Sequence, residues 1–339
     1  MKGAGEVGGG PEASERKDMV TVRVPAKLNL QLAVGPPRAD GYHDLMTVFH
    51  AVSLFDQVTV EPAGRDGVTV TGEGADRVPA DHDNLALRAV AALRAAVPDR
   101  RPGPGNVHAT IAKRIPVAAG LAGGSADAAA ALVACNELWA TGLSQQQLGA
   151  IAATVGSDVA FALLGGTAVG RGRGEQVTPA LVPATQYHWV LAFADGQLST
   201  PAVYAALDRL RGERGDGQFP RAGGPRGVGP REIAEPDLDA ALMSALRSGD
   251  AARVGQRLNN DLQPAAVSLF PALRKTLAAG LELGALGALV AGSGPTCVFL
   301  AANAERALEL AVSLSGAGVC RSVARVSGPV PGAAVVSAG

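Results

Sequence analysis

The chain has 339 residues, 47% of them hydrophobic, and a formal net charge of −1. That length allows one large or two ordinary domains, and that composition supports a sizeable core. The near-neutral balance argues against a nucleic-acid or membrane-surface binder, which needs a basic excess. Residues 1–18 are polar and Gly-rich, without the apolar stretch of a secretory signal, and read as a disordered tail. Short β-like runs follow at Val20–Val24, Leu28–Val34, Leu45–Leu54, Gln57–Glu61 and Gly67–Thr71. Asp83–Val97 has helical spacing, with Asp81 or Asp83 as the expected cap. Val107–Ala112 is strand-like and leads into a Gly-rich turn. Helices are expected at Ser125–Trp139, Ser144–Val155 and Asp158–Leu164, then a hairpin at Gly166–Gly170 and Gln176–Thr178.

A second region opens with the apolar strand Tyr187–Ala194 and the helix Thr200–Leu210. The Gly-, Pro- and Arg-rich stretch 212–230 reads as a flexible insertion. Helical patterns follow at Leu238–Ser248, Ala251–Leu258 and Pro271–Ala279. The closing order is Ala288–Val290, strand Thr296–Ala301, helix Ala304–Ser315 and strand Cys320–Val326, half of a split βαβ arrangement. The expected division is 19–182 and 183–327, with a tail at 328–339. Cys135, Cys297 and Cys320 form no CxxC or Cys/His cluster, so they read as free thiols in a reducing compartment. No apolar run reaches the length of a membrane span. A cytoplasmic protein without nucleic-acid or membrane partners is expected; monomer and homodimer both remain open.

Three segments carry chemistry. In Pro25-Ala26-Lys27-Leu28-Asn29, Lys27 and Asn29 share one face of a strand, where a Lys is either a solvated charge or a cation aimed at a phosphate or an ionising hydroxyl. Asp40-Gly41 is a turn signal that would present Tyr42 and His43 at a loop tip. The second segment runs from Lys113 through Pro116 and Gly120-Leu121-Ala122-Gly123-Gly124-Ser125, a Gly-rich turn opening a helix. A helix N-terminus offers unpaired N–H donors to an anion, although the same turn alone also suits a plain buried helix. The third is Gly156-Ser157-Asp158, where Asp158 is either a helix cap or a general base. A further Gly-rich turn, Ala291–Thr296, lies near the C-terminus. No P-loop, dinucleotide fingerprint, nucleophile elbow or protein-kinase set is present.

Taken in order, Pro-Ala-Lys-x-Asn, Pro-x-x-x-Gly-Leu-Ala-Gly-Gly-Ser-Ala-Asp and Gly-Ser-Gly-Pro-Thr resemble the three motifs of the GHMP kinases. Lys27–Leu30, Arg38–His43 and Gly156–Val159 are most similar to the 4-diphosphocytidyl-2-C-methyl-D-erythritol kinases within them. The resemblance covers roughly residues 20–327. It implies an α+β, two-domain fold: an N-terminal domain with a left-handed βαβ crossover, a C-terminal ferredoxin-like domain and a cleft between them. It implies ATP and Mg²⁺, and transfer of a phosphoryl group to the C2 hydroxyl of cytidine diphosphate methylerythritol, in the non-mevalonate route to isoprenoids.

The resemblance also implies roles. Asp158 takes the hydroxyl proton with Lys27 beside it. Pro116, Gly120, Leu121, Ala122, Gly123, Gly124 and Ser125 wrap the ATP phosphates; no residue stands out as a dedicated Mg²⁺ ligand, and the ion is expected to be held largely by ATP and water, with Ser125 or Asp158 nearby. Lys113, Asn84 and Leu85 match positions near the nucleotide, and read equally as a surface Lys, a helix cap and a core Leu. Asn29 orients the methylerythritol hydroxyls, Tyr42 and His43 take the cytosine, and Thr200 and Tyr204 lie near that base. Ala122 departs from the pattern, where many relatives have Gly or Ser. Two other readings stand beside this one: a homoserine- or mevalonate-type kinase, and a nucleotide-binding regulator without catalysis.

Overall fold

The structure is a computed structural model describing residues 18–97, 104–216 and 235–338. Two long strands, β1 (Val20–Pro37) and β2 (His43–Pro62), form an antiparallel hairpin. The sequence pattern divides each into two short strands. The division does not hold because Pro25 and the Asn29–Gln31 step coincide with register shifts, where a strand bends without ending.

After β3 (Gly67–Gly72), the helix α1 (Leu85–Ala96) crosses to β4 (Val107–Lys113), which pairs in parallel with β3. The α1 cap is Asn84, whose side chain accepts from the Ala86 N–H at 2.9 Å. It is neither Asp81 nor Asp83: Asp81 closes the preceding turn by accepting from the Asp83 N–H. Helix α2 (Gly123–Leu138) begins two residues before Ser125, with Ala122 at its cap position and no side-chain cap. Helix α3 (Gln145–Val155) is capped by Ser144, with Gln147 completing a capping box. Helix α4 (Ser157–Leu164) and the hairpin β5 (Thr167–Arg171) and β6 (Gln176–Pro179) complete this half.

The second half runs β7 (Tyr187–Phe193), α5 (Thr200–Asp216), α6 (Ala240–Ser248), α7 (Ala251–Arg257), β8 (Asn259–Asn260), α8 (Gln263–Leu269) and α9 (Ala272–Glu282). It closes with β9 (Gly287–Val290), β10 (Cys297–Ala301), α10 (Ala304–Gly316), β11 (Ser322–Gly328) and β12 (Ala334–Ala338). One sheet of eight strands carries the order β12-β1-β2-β4-β3, with β5 on β2, β6 on β5 and β8 on β1. The other has the antiparallel order β11-β7-β10-β9 expected of a ferredoxin-like unit.

Two sequence expectations change here, and one helix, α8, is added to them. Helix α5 continues to Asp216, so the first residues of the stretch 212–230 are helical; residues 217–230, like 1–17, lie outside those described. Helix α8 has seven residues, too short to show a period. The segment 328–339 is not simply a tail. Its β12 pairs with β1, Val20 opposite Ala338, and every β12 residue is exposed, so no apolar alternation marks it.

The main apolar core packs β1, β2 and β4 against α1–α4 and continues through Trp189, Leu191 and Leu242 of the second half. A second core, around Phe299 and Leu314, fills the ferredoxin-like unit. Apolar packing therefore runs across the expected boundary at residue 182, and the site is built where the halves meet.

Candidate active site

A cleft of about 550 Å³ opens between the halves. Its walls bring together Lys27, Asn29 and Thr47 of the hairpin, residues 118–120 and 122–125, Asp158 of α4, Arg173, Thr200 and Tyr204 of α5, and Gly292 with Ser293.

The β1 register places Lys27 and Asn29 on one face: the Lys27 Nζ donates to Asn29 Oδ1 at 2.7 Å. Asn29 in turn donates to Thr47 Oγ1, and Thr47 to the Gln31 carbonyl. This chain fixes a buried cation, which reaches Asp158 Oδ2 at 3.8 Å. Asp158 stands in the first turn of α4, yet α4 has no side-chain cap, so the capping role falls away and the carboxylate faces the cleft. The stacked Phe49 and Phe161 rings, centroids 4.7 Å apart, hold α4 against β2.

The Gly-rich turn is held from three sides. The Lys27 N–H donates to the Leu121 carbonyl. Gly120, at φ 78°, lies so close to the C-terminal turn that a Cβ would come within 1.9 Å of the Ala291 carbonyl oxygen. Ala118 and Ala122 also have left-handed backbones, φ 53° and 59°, each costing about 1–2 kcal/mol for an L-residue. With no side-chain cap, the first-turn N–H groups of α2 are left open to an anion, favoured there by the helix dipole. Ser125 lies inside that first turn rather than at its cap.

Beneath the turn, the Lys113 Nζ donates to Asp56 Oδ2 at 2.5 Å and Asp127 Oδ2 at 2.7 Å, all three side chains being buried. Asp56 Oδ1 also accepts from the Arg114 and Ile115 N–H groups, pinning the chain just before the turn. Burial pulls the Lys113 pKa down, and the two carboxylates more than reverse it, leaving it raised. Burial pushes Asp127 up to about 7 against the pull of Lys113. Lys113 is thus neither a surface Lys nor a cleft residue: it supports the turn from below.

Not every candidate meets in the cleft. Leu85 lines it, whereas Asn84 is the buried cap of α1 and Leu121 is wholly buried. Pro116 lines a smaller cavity of about 230 Å³, which shares Ala118 and Ala119 with the main cleft. Tyr42 is 55% exposed at the β1–β2 turn. His43 departs from the expected exposed pair. It is buried, paired with Asp208 at 2.9 Å and packed on Tyr204 at 5.1 Å between centroids, because it begins β2 and points inward beneath α5. Burial, reinforced by the Asp158 charge, pushes the Tyr204 hydroxyl up to about 12. Thr200 shares a 2.8 Å hydrogen bond with Ser293.

Several residues of the site escape sequence reasoning. Asn260 donates to the carbonyls of Val290 and Gly292, both at 2.7 Å, and shapes the C-terminal turn. An isolated Asn carries no motif. Thr47 and Arg173 likewise have no local signal, since only the folded hairpins bring them to the cleft.

Known proteins similar to this chain fix its family. The GHMP kinases N terminal domain matches residues 84–166 and the GHMP kinases C terminal domain matches residues 242–320. A 4-diphosphocytidyl-2-C-methyl-D-erythritol kinase of Thermobifida fusca is 53% identical over 325 residues, covering 94% of this chain and 98% of the relative. The chain belongs to the GHMP kinases, in the 4-diphosphocytidyl-2-C-methyl-D-erythritol kinase family. A crystal structure of a 4-(cytidine 5'-diphospho)-2C-methyl-D-erythritol kinase is similar at TM-score 0.68 and 33% identity, covering 90% of this chain and 98% of that one. A homoserine kinase from Cytophaga hutchinsonii superposes at TM-score 0.71 and 20% identity, covering 96% and 100%, a likeness of fold alone. The Gly-rich turn and Asp158 lie in the first matched segment and Gly292 in the second, while Lys27 and Asn29 precede both.

Proposed function

We propose that this GHMP kinase transfers the γ-phosphoryl group of ATP to the C2 hydroxyl of 4-diphosphocytidyl-2-C-methyl-D-erythritol, giving the 2-phosphate and ADP. That reaction is a step of the non-mevalonate route to isopentenyl diphosphate. The observation that carries the reading is the Asp158 carboxylate, free of any capping role and 3.8 Å from a Lys27 fixed by Asn29, in one cleft with the uncapped start of α2.

Phosphoryl transfer asks the protein mainly for alignment and charge stabilisation. The N–H groups of Gly123, Gly124 and Ser125 hold the ATP phosphates. Asp158 accepts the hydroxyl proton as oxygen attacks phosphorus, and Lys27 stabilises the developing alkoxide. Asn29 keeps one N–H and one lone pair for substrate hydroxyls after binding Lys27 and Thr47. Tyr204 offers its ring to the cytosine, His43 supports that ring from behind, and Tyr42, under the Arg173 guanidinium, closes the outer side.

The donor set fits Mg²⁺ held mainly by phosphate and water. The cleft offers the Ser125 hydroxyl and the Asp158 carboxylate, and the described residues contain no group of three or more His, Cys, Asp or Glu that could hold a metal. When bound, the ion supplies charge neutralisation on the phosphates.

Asp158→Ala tests the roles. ATP binding by titration should survive within a fewfold while kcat falls about 10²–10⁴-fold. Equal loss of binding and turnover would make Asp158 a structural residue.

A further inference from the structure

We propose that Arg173 holds the diphosphate of the cytidine substrate, an inference that rests on the reaction above. Arg173 stands at the tip of the β5–β6 hairpin, between Gly172 at φ 70° and Gly174 at φ 101°. The tip backbone is fixed. The Leu45 N–H donates to the Gly172 carbonyl at 2.6 Å, and the Arg173 N–H donates to the Glu175 carboxylate at 2.6 Å. A further close fit holds the strand that leads to the tip, where a Cβ on Gly170 would meet the Phe49 ring at 2.6 Å.

The side chain is placed rather than loose. Its guanidinium lies over the Tyr42 ring, 5.1 Å from the centroid, and it lines the cleft. Among the described lining residues only Lys27, Asp158 and Arg173 are charged. Lys27 is committed to Asn29 and Asp158. Arg173 forms no ion pair among the described residues, so it is the cleft cation without a carboxylate partner.

A substrate with its reacting hydroxyl at Asp158 and its base beside Tyr204 and Tyr42 must carry its diphosphate along the wall between them. A diphosphate in that position needs a cation, and a planar guanidinium matches two phosphate oxygens at once. The phosphates of ATP already have the N–H groups of α2. Stacking on Tyr42 keeps the guanidinium preorganised next to the face that meets the base, so one contact reads both halves of a nucleoside diphosphate.

The test uses the full chain as wild type, Arg173→Gln and Arg173→Lys. Steady-state kinetics with ATP and 4-diphosphocytidyl-2-C-methyl-D-erythritol should give a KM for the cytidine substrate raised about tenfold to a hundredfold in Arg173→Gln. Its KM for ATP should stay unchanged, and Arg173→Lys should recover part of the loss. In titrations without turnover, Arg173→Gln should weaken binding of cytidine diphosphate and leave binding of cytidine unchanged. Equal weakening of both would reduce Arg173 to a prop for Tyr42 and overturn the inference. A rise in KM for ATP alone, or no change in either KM, would overturn it too. If the wild type neither phosphorylates the cytidine substrate nor binds cytidine diphosphate, the proposed function itself falls.

Discussion

At the scale of single residues, the site depends on side chains whose partners were chosen by the fold. Lys27 shows this well: an alternating strand pattern places it with Asn29, but only the fold supplies Asp158 at 3.8 Å. His50 is the residue whose environment has the plainest consequence for stability. Wholly buried, with Nδ1 paired to Thr167 Oγ1, it has its pKa lowered by burial from 6.5 to about 4. The unfolded chain therefore binds the extra proton more readily between those values. Full stability is present above pH 6.5 and is lost as the pH falls toward 4, by about 3 kcal/mol from this group. Denaturant titrations across that range should show the slope in the wild type and a shallower one in His50→Phe. An unchanged slope in the variant would assign the acid sensitivity to other groups.

At the scale of elements, the Gly-rich turn before α2 is the part most dependent on its surroundings. Its left-handed residues and close approach to Ala291 are tolerated because Lys113, Asp56 and Asp127 anchor the strand before it and the helix after it. Removing the cation would leave two buried carboxylates without compensation. Lys113→Met should lower the unfolding free energy by about 3–5 kcal/mol in denaturant titration and weaken ATP binding together with it. A loss below about 1 kcal/mol would show that the network does not support the turn. The turn itself was legible in the sequence, since small residues before an Ala-rich run mark a close backbone approach. The network beneath it was not, because Asp56, Lys113 and Asp127 lie in three separate elements and share no spacing.

At the scale of the whole molecule, the order of strands and helices was legible wherever apolar periodicity was strong, as in the closing β9-β10-α10-β11 run. It failed where periodicity was interrupted or missing: at Pro25, which bends β1 without ending it, and in β12, exposed at every residue. The cleft is a product of the complete fold. Lys27 and Asp158 come from the N-terminal half, Thr200 and Tyr204 from α5, and the Gly292 turn is held by Asn260. Sequence motifs pointed to Lys27, Asp158 and the Gly-rich turn, which the fold brings to one cleft, while Tyr204 rather than Tyr42 as the ring lining it needed the packing of α5 on His43. The arrangement as a whole makes one central claim, that the hydroxyl presented to Asp158 belongs to a cytidine-linked alcohol. The direct measurement is to offer the purified full chain ATP with 4-diphosphocytidyl-2-C-methyl-D-erythritol, homoserine or mevalonate in parallel, following ADP release and locating the new phosphate by phosphorus NMR. Turnover of the cytidine compound alone is expected, with the phosphate on its C2 oxygen; phosphorylation of homoserine or mevalonate with none of the cytidine compound would contradict the assignment.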